Sequence, residues 1–463
     1  MSEQPASNVS KTAVQVVAGL SSFITPFTLS SVTIALPSID KSLTLNAVAL
    51  SWVATAYLLA SAAFLVPFGR IGDIYGRKKI FLIGISIDAA ASILCALSHS
   101  GGWLIFFRAW QGLGGAMIFG TAIAILTSVF PPQERGRVLG INTAAVYTGL
   151  SAGPLIGGTL AQRLGWQSIF YLNALLGLIM IIVVLWKLKG EWAGSRGEKF
   201  DFPGAAVYAV SLVALIYGFS LLPSLTALWL IIAGAAGLAA FAFWELRIKY
   251  PVFQIAFFQK NSVFRYSNLA ALINYSATNS VAFLLSLYLQ YIKGFTPEQA
   301  GLILIIQPVI MVICSPIAGT LSDRFEPRII ASTGMALTTT GLVMLIFLNN
   351  SSPLAYIFAI LAILGVGFGF FSSPNTNAVM SSVDRKFYGV ASGMLGTMRV
   401  TGQTTSLAIS LLLFAVYIGR VAITPPYYPA FLTSMKSAFI VSAALCFLGI
   451  FASIVRGKTH ENT

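Results

Sequence analysis

Long apolar runs alternate with short polar ones from one end of the chain to the other. Fourteen runs predict helices near 13–37, 48–68, 80–98, 103–129, 139–161, 168–187, 204–222, 227–244, 263–291, 299–321, 330–348, 354–380, 388–418 and 435–455. Each is long enough to cross the ~30 Å hydrocarbon core of a bilayer at ~1.5 Å per residue. The pattern is that of an all-α polytopic membrane protein. Its sharpest interruption is GRIGDIYGRKK at 69–79, with five charged residues. Lipid does not accept such a density of charge, so the run predicts a tight, water-exposed loop joining two spanning helices.

Composition agrees: 57% of residues are hydrophobic, only 9% are charged, and the mean hydropathy is +0.84. No ordinary soluble domain has this balance. The net charge of +14 does not point to nucleic acid, because the basic residues form no continuous stripe. They cluster between apolar runs, on one side of the predicted bilayer. With the N-terminus inside, 21 Lys and Arg fall in cytoplasmic segments and 5 outside, leaving Arg108 and Arg399 within the membrane. Both termini are therefore expected in the cytoplasm. Cys95, Cys314 and Cys446 each sit inside an apolar run, which disfavours a disulfide framework. The first eleven residues are polar and lead directly into a full-length span, so no cleavable leader is expected.

The chain repeats itself. GTLSDRFEPR at 319–328 is a worn copy of 69–79, with Asp323 in the place of Asp73 at an offset of 250 residues. Six spans with loops occupy less than that, so roughly 60 residues are inserted between two equivalent halves. The insertion is the basic segment 187–203 and spans seven and eight. The expected organisation is a six-helix bundle over 1–187, a basic linker with two extra helices over 188–262, and a second six-helix bundle over 263–463. In the linker, FDFPG at 200–204 reads as a helix start, with Asp201 capping and Pro203 in the first turn.

Several motifs resemble those of the major facilitator superfamily. The spacing of Gly69, Asp73, Gly76, Arg77 and Lys78 is similar to the family's loop between helices two and three. The resemblance implies a conformational latch, in which Asp73 meets the positive end of the helix beginning near Gly389 when the cytoplasmic side closes. A plain topogenic basic loop is the other reading. Span four and its exit, from Arg108, Gln111 and Gly112 onward, resemble a second motif. Arg108 lies about six residues, or ~9 Å, below the outer face, where it faces a wet cavity or snorkels to the interface. GLSAGPLIGG in span five, with Gly149, Gly153, Pro154, Gly157 and Gly158, resembles the motif that marks exporters running as antiporters. Its small residues at i, i+4 and i+8 let another helix come close, whatever else they do.

With IALPSI, GWQSIFYLN, PNTNAVMSSV and GVASGMLGTMR added, the chain resembles the fourteen-helix drug:proton antiporter branch over nearly its whole length. That resemblance implies efflux of small amphiphilic or drug-like molecules by alternating access, coupled to protons across the cell (inner, cytoplasmic) membrane. The bilayer, protons and a small molecule are then the partners. One departure stands out: where the branch carries an acid in the first span, this chain has Thr28.

Of fourteen acids, only Asp88 lies deep in a span, about 13 Å in. Gly84, Asp88, Ser92 and Cys95 share one helical face that points into protein. Asp88 and Arg108 are the proton-coupling candidates, as a pair between spans three and four. Alternatively, Asp88 only hydrogen-bonds a neighbouring helix. Cavity candidates are Phe23, Thr28, Ser31, Arg108, Gln111, Asn274, Thr278, Asn279, Phe283, Asn375, Arg399 and Gln403. Two intramembrane Arg against one Asp favour neutral, zwitterionic or anionic substrates over hydrophobic cations. An enzyme is not expected, since His99 and His460 have no partner at catalytic or metal-ligand spacing, and no cofactor or metal is expected either. A channel is disfavoured by the lack of a filter loop or charged rings. The rival reading is a facilitator-fold uniporter or symporter for an organic anion or lipid-like substrate.

Overall fold

The computed structural model describes residues 10–253, 261–384 and 388–457. Lys260, Arg385, Lys386, Lys458 and His460 lie outside the described residues, as do the side chains of Arg135, Arg137 and Asp323 and the surroundings of Gly389. Helices account for nearly all of the rest. They are α1 (Lys11–Leu43), α2 (Ala47–Tyr75), α3 (Arg77–Ala96), α4 (Gly101–Val129), α5 (Pro132–Arg163), α6 (Gln167–Lys187), α7 (Phe202–Ser220) and α8 (Leu225–Glu245). The second half comprises α9 (Ser262–Leu287), α10 (Pro297–Leu304), α11 (Ile306–Arg324), α12 (Pro327–Ile346), α13 (Leu354–Ser381), α14 (Tyr388–Tyr417) and α15 (Tyr428–Val455). Among the described residues, thirteen segments are long and apolar enough to cross a membrane, with α10 and α11 counted as one. The 32-residue α5 lies alongside them.

Polar caps set the helix starts. Ser10, Asn46, Ser100, Asp201, Ser224 and Asn261 each accept a hydrogen bond from an N–H in the first turn. Thr296 and Gln299 form a reciprocal capping box at α10.

Packing repeats between the halves. In the first, α1 lies on α5, α2 on α4, and α3 on both α4 and α6. In the second, α9 lies on α14, α11 on α13, and α12 on both α13 and α15. Close approach recurs as well. A Cβ at Gly114 would stand 2.7 Å from the Gly84 carbonyl oxygen, and one at Gly334 2.6 Å from that of Gly367. Gly84 and Gly334 are again 250 residues apart. Two six-helix bundles result. They meet where α2 faces α14 and where α5 faces α10 and α11. The extra helices α7 and α8 pair as a hairpin, and α7 lies on both α2 and α14 along one of these seams. There the Tyr208 hydroxyl donates to the Ala62 carbonyl at 3.1 Å.

Three expectations need correction. The charged run 69–79 is not a loop. Helix α2 continues through Tyr75, only Gly76 interrupts it, and α3 starts at Arg77. The charges end in water and in polar partners, so the backbone keeps its helical hydrogen bonds. The span predicted over 299–321 is two helices broken at Ile305. Pro308 has no N–H to offer the Leu304 carbonyl. The last span starts at Tyr428 instead of 435, after a short 3-10 turn at Pro425–Tyr427. The connector before it is pinned where Ala47 N–H donates to the Val421 carbonyl at 2.8 Å.

Candidate transport cavity

A cavity of about 1890 Å³ separates the two bundles. Its mouth is at the end of the bundle that carries 69–79, where Arg70, Asp73, Arg77, Glu191, Arg196 and Tyr388 line it. Deeper, Thr25, Tyr57, Tyr147, Asn279, Ser372, Arg399 and Gln403 form its walls.

The opposite end is shut by contacts between bundles. Ser286 donates to the Thr33 carbonyl at 3.0 Å and Gln290 to that of Ile34 at 2.9 Å. Tyr291 donates to the Asp40 carboxylate, and Arg163 pairs with Glu298 at 3.1 Å. Tyr291 and Gln290 sit in a π turn, Tyr288–Ile292, that ends α9. A Cβ at Gly301 would stand 2.1 Å from the Pro154 carbonyl oxygen, and one at Gly158 2.5 Å from that of Pro297. Gly149, Gly153 and Gly157 face the other way, against α1 beside Phe23, Phe27 and Ser31. The glycine-rich run of α5 thus serves both the α1 seam and the closed end of the cavity.

At the open end, Arg77 Nε donates to Asp73 Oδ1 at 2.7 Å. Its Nη1 reaches the Ala124 carbonyl at 3.0 Å and the Ser128 hydroxyl. The contact expected between Asp73 and the start of α14 would close the mouth, and here the mouth is open. Sequence reasoning missed the clamp on this segment. The linker after α6 runs across it, with Ser195 N–H on the Asp73 carbonyl at 2.9 Å and Arg77 N–H on the Trp192 carbonyl at 2.8 Å. Arg70 bonds the Ser195 hydroxyl at 3.2 Å and pairs with Glu198. Glu191 accepts from the N–H groups of Lys78 (2.8 Å) and Lys79 (3.2 Å), at the positive end of α3. Gly76 makes room for this: its φ is +121°, and a Cβ there would stand 2.6 Å from the Glu191 carboxyl carbon. The visible signal was Glu191 and Glu198 standing as acids in a basic linker. Glu191→Ala is expected to cost about 1 kcal/mol at this helix end. Hydrogen exchange should then quicken in the first turn of α3 and across 188–199, and unchanged exchange would refute the clamp.

Asp88 and Arg108 are both buried, yet among the described residues they are not an ion pair. Asn173 from α6 intervenes, donating to Asp88 Oδ2 at 2.9 Å and to Ser92 Oγ at 2.7 Å. Thr28 donates to Asn173 Oδ1 at 2.5 Å. Gln111 donates to Ser92 at 2.7 Å and accepts from Arg108, whose Nε reaches the Val53 carbonyl at 3.0 Å. The guanidinium stacks 4.6 Å from the ring centre of Tyr57, a cavity-wall residue. The result is a continuous polar chain from Thr28 and Asp88 to the wall. Asn173, in the GWQSIFYLN run, is its junction.

Of the cavity candidates, the structure lines the cavity with Asn279, Arg399 and Gln403. It sets Phe23, Thr28, Ser31, Arg108, Gln111, Asn274, Thr278, Phe283 and Asn375 behind the walls. Apart from Asn274, their polar groups bond inside a bundle. Ser31 bonds the Gly153 carbonyl and Thr278 its own helix. Asn375 donates to the Ser267 carbonyl and accepts from the buried Arg456. Phe23 stacks on Phe27, and Phe283 packs 5.9 Å from Phe414. Asn274 is fully buried with both amide atoms unpartnered.

The sequence profile described as Major Facilitator Superfamily matches residues 18–404 and 267–462. The chain belongs to the major facilitator superfamily. Within it, the chain falls with the drug:proton antiporter-type branch. It is 31% identical over 405 residues to the multidrug resistance protein Stp of Mycobacterium tuberculosis, covering 85% of this chain and 74% of that one. It is 28% identical over 444 residues to the riboflavin transporter RibZ of Clostridioides difficile, covering 96% and 97%. A bacterial homologue of the human lysosomal transporter Spinster, solved inward-facing and unoccupied, superposes with a TM-score of 0.69 at 14% identity over 98% of each chain. That last likeness establishes the fold alone. This facilitator is a multi-pass membrane transporter and not an enzyme.

Proposed function

We propose that this facilitator exports small amphiphilic or drug-like molecules in exchange for protons, by alternating access. The observation that carries the reading is the cavity between the bundles, open at one end and shut at the other by inter-bundle bonds. The open end carries the basic segments, so the positive-inside rule makes it cytoplasmic, with both termini on that side of the inner membrane. Residues 1–187 and 263–463 rock as two units, and 188–262 rides with them as an insertion. As the mouth closes, the segment around Asp73 and Arg77 meets the opposing bundle and acts as the latch. Direction of transport follows from the Gly149–Gly158 run and from relatives named for multidrug resistance and for tetracenomycin C resistance and export. Protons act through Asp88 and its chain to Arg108.

A second reading, a uniporter or symporter for an organic anion, is favoured by one observation: Thr28 stands where the branch carries its acid. Reconstituted vesicles with an imposed pH gradient separate the two. Antiport predicts substrate accumulation driven by opposed proton flow. Equilibration that ignores the gradient means uniport, and accumulation in the direction of proton flow means symport.

A further inference from the structure

Arg399 stands apart from the other cations of the cavity. Arg77 is paired with Asp73 and Arg70 with Glu198, Arg196 is exposed at the mouth, and Arg108 lies behind the wall. Arg399 lines the cavity about eleven residues into α14, and among the described residues no acid pairs with it. Its Nε is buried without an acceptor. The guanidinium lies 5.2 Å from the ring centre of Tyr275, which Phe368 holds edge-on at 5.3 Å. Three hydroxyls converge beside it. Tyr275 neighbours Arg399, Ser372 and Tyr147, and Tyr147 from the other bundle donates to Ser372 at 2.9 Å. A cation this deep, with donors unspent and hydroxyls on both sides, is complementary to an anion.

We propose that Arg399, with the hydroxyls of Tyr147, Ser372 and Tyr275, is the subsite for an anionic group (carboxylate, sulfonate or phosphate) on an otherwise apolar substrate. The proposal rests on the reading of this cavity as the substrate path. Leu29, Leu58, Leu150 and Val312 supply apolar wall for the remainder of the molecule. The subsite also joins the bundles. An anion held by Arg399 takes up the hydroxyls of Tyr147 on α5 and Ser372 on α13, replacing a direct bond between the halves with one through the substrate. Binding is thereby coupled to the relative position of the bundles.

Two dyes with the same xanthene core and opposite charge test this: fluorescein, an anion, and rhodamine 123, a cation. Their binding to the purified full chain in lipid nanodiscs is read by fluorescence polarisation. Fluorescein is expected to bind more tightly than rhodamine 123. Arg399→Gln should weaken fluorescein about 10-fold to 100-fold and leave rhodamine 123 unchanged or tighter. Arg399→Lys should retain part of the affinity, since it keeps the charge and loses the fork, which also controls for folding. Tyr147→Phe should cost about 3-fold to 10-fold. Fluorescein binding that is absent in the unmodified protein, or equal in Arg399→Gln, overturns the proposal. So does tighter binding of rhodamine 123 than of fluorescein. The export reading fails separately, if the unmodified protein in vesicles exchanges neither dye for protons while the binding differences persist.

Discussion

Asp88→Asn is expected to reduce pH-gradient-driven transport to the level of protein-free vesicles while sparing substrate exchange at equal pH. Asn has the shape of Asp and can still bond Asn173, so packing between α3, α4 and α6 is kept. What it loses is the capacity to take up and release a proton. The groups around Asp88 make that loss specific. Asn173 bonds it from α6, Arg108 of α4, Tyr57 of α2 and Cys95 of its own helix act on it through space, and Thr28 of α1 and Gln111 of α4 bond its neighbours Asn173 and Ser92. Among the described residues none of these is a second acid. A change of charge at Asp88 therefore acts on Asn173, whose carbonyl holds Thr28 of α1, and along Ser92 and Gln111 to Arg108 and the cavity wall. Transport by Asp88→Asn with an unaltered dependence on the pH gradient would make Asp88 a structural residue only.

Gly149→Val is expected to give the largest loss of stability. A Cβ at Gly149 would stand 2.4 Å from the Phe23 carbonyl oxygen and 3.2 Å from the Phe27 nitrogen, all backbone of α1. No rotamer change relieves such a clash, so α1 and α5 must separate. Separation would also strain the Ser22–Asn142 bond (2.9 Å) and the Ser31–Gly153 carbonyl bond (3.1 Å) that stitch the same seam. About 3 kcal/mol or more should be lost, at the upper end of overpacking costs. Melting in detergent and the monodisperse yield read this directly. Gly102→Ala is the matched control, because nothing lies within 4 Å of a Cβ there, and it should be neutral. Equal melting of the two variants would show that the α1–α5 seam is not the close contact described.

Much of the architecture was legible in the chain. The all-helical architecture, the two extra helices, and the duplication about an offset of 250 came from the apolar runs and from Asp73 and Asp323, whereas the break at Ile305 did not. Spacing rules work there because each helix satisfies its own backbone and needs only a length of apolar sequence. The site was far less legible. Polar residues in spans one, nine, twelve and thirteen looked alike, yet Thr28, Ser31, Asn274 and Asn375 are buried within bundles, whereas Asn279, Arg399 and Gln403 reach the cavity. Helical periodicity says which residues share a face. It does not say whether that face meets a neighbouring helix or an aqueous space.

By itself, then, the sequence determined a family, a set of spans, a basic side and a glycine seam in α5, since each is a local pattern of size, charge or hydropathy. Only the tertiary structure decided which Arg faces the cavity, how Asn173 stands between Asp88 and Arg108, and that Glu191 clamps the charged segment at 69–79. Those depend on distances between helices far apart in the chain. They are set by how two bundles pack, and no single stretch of residues encodes that.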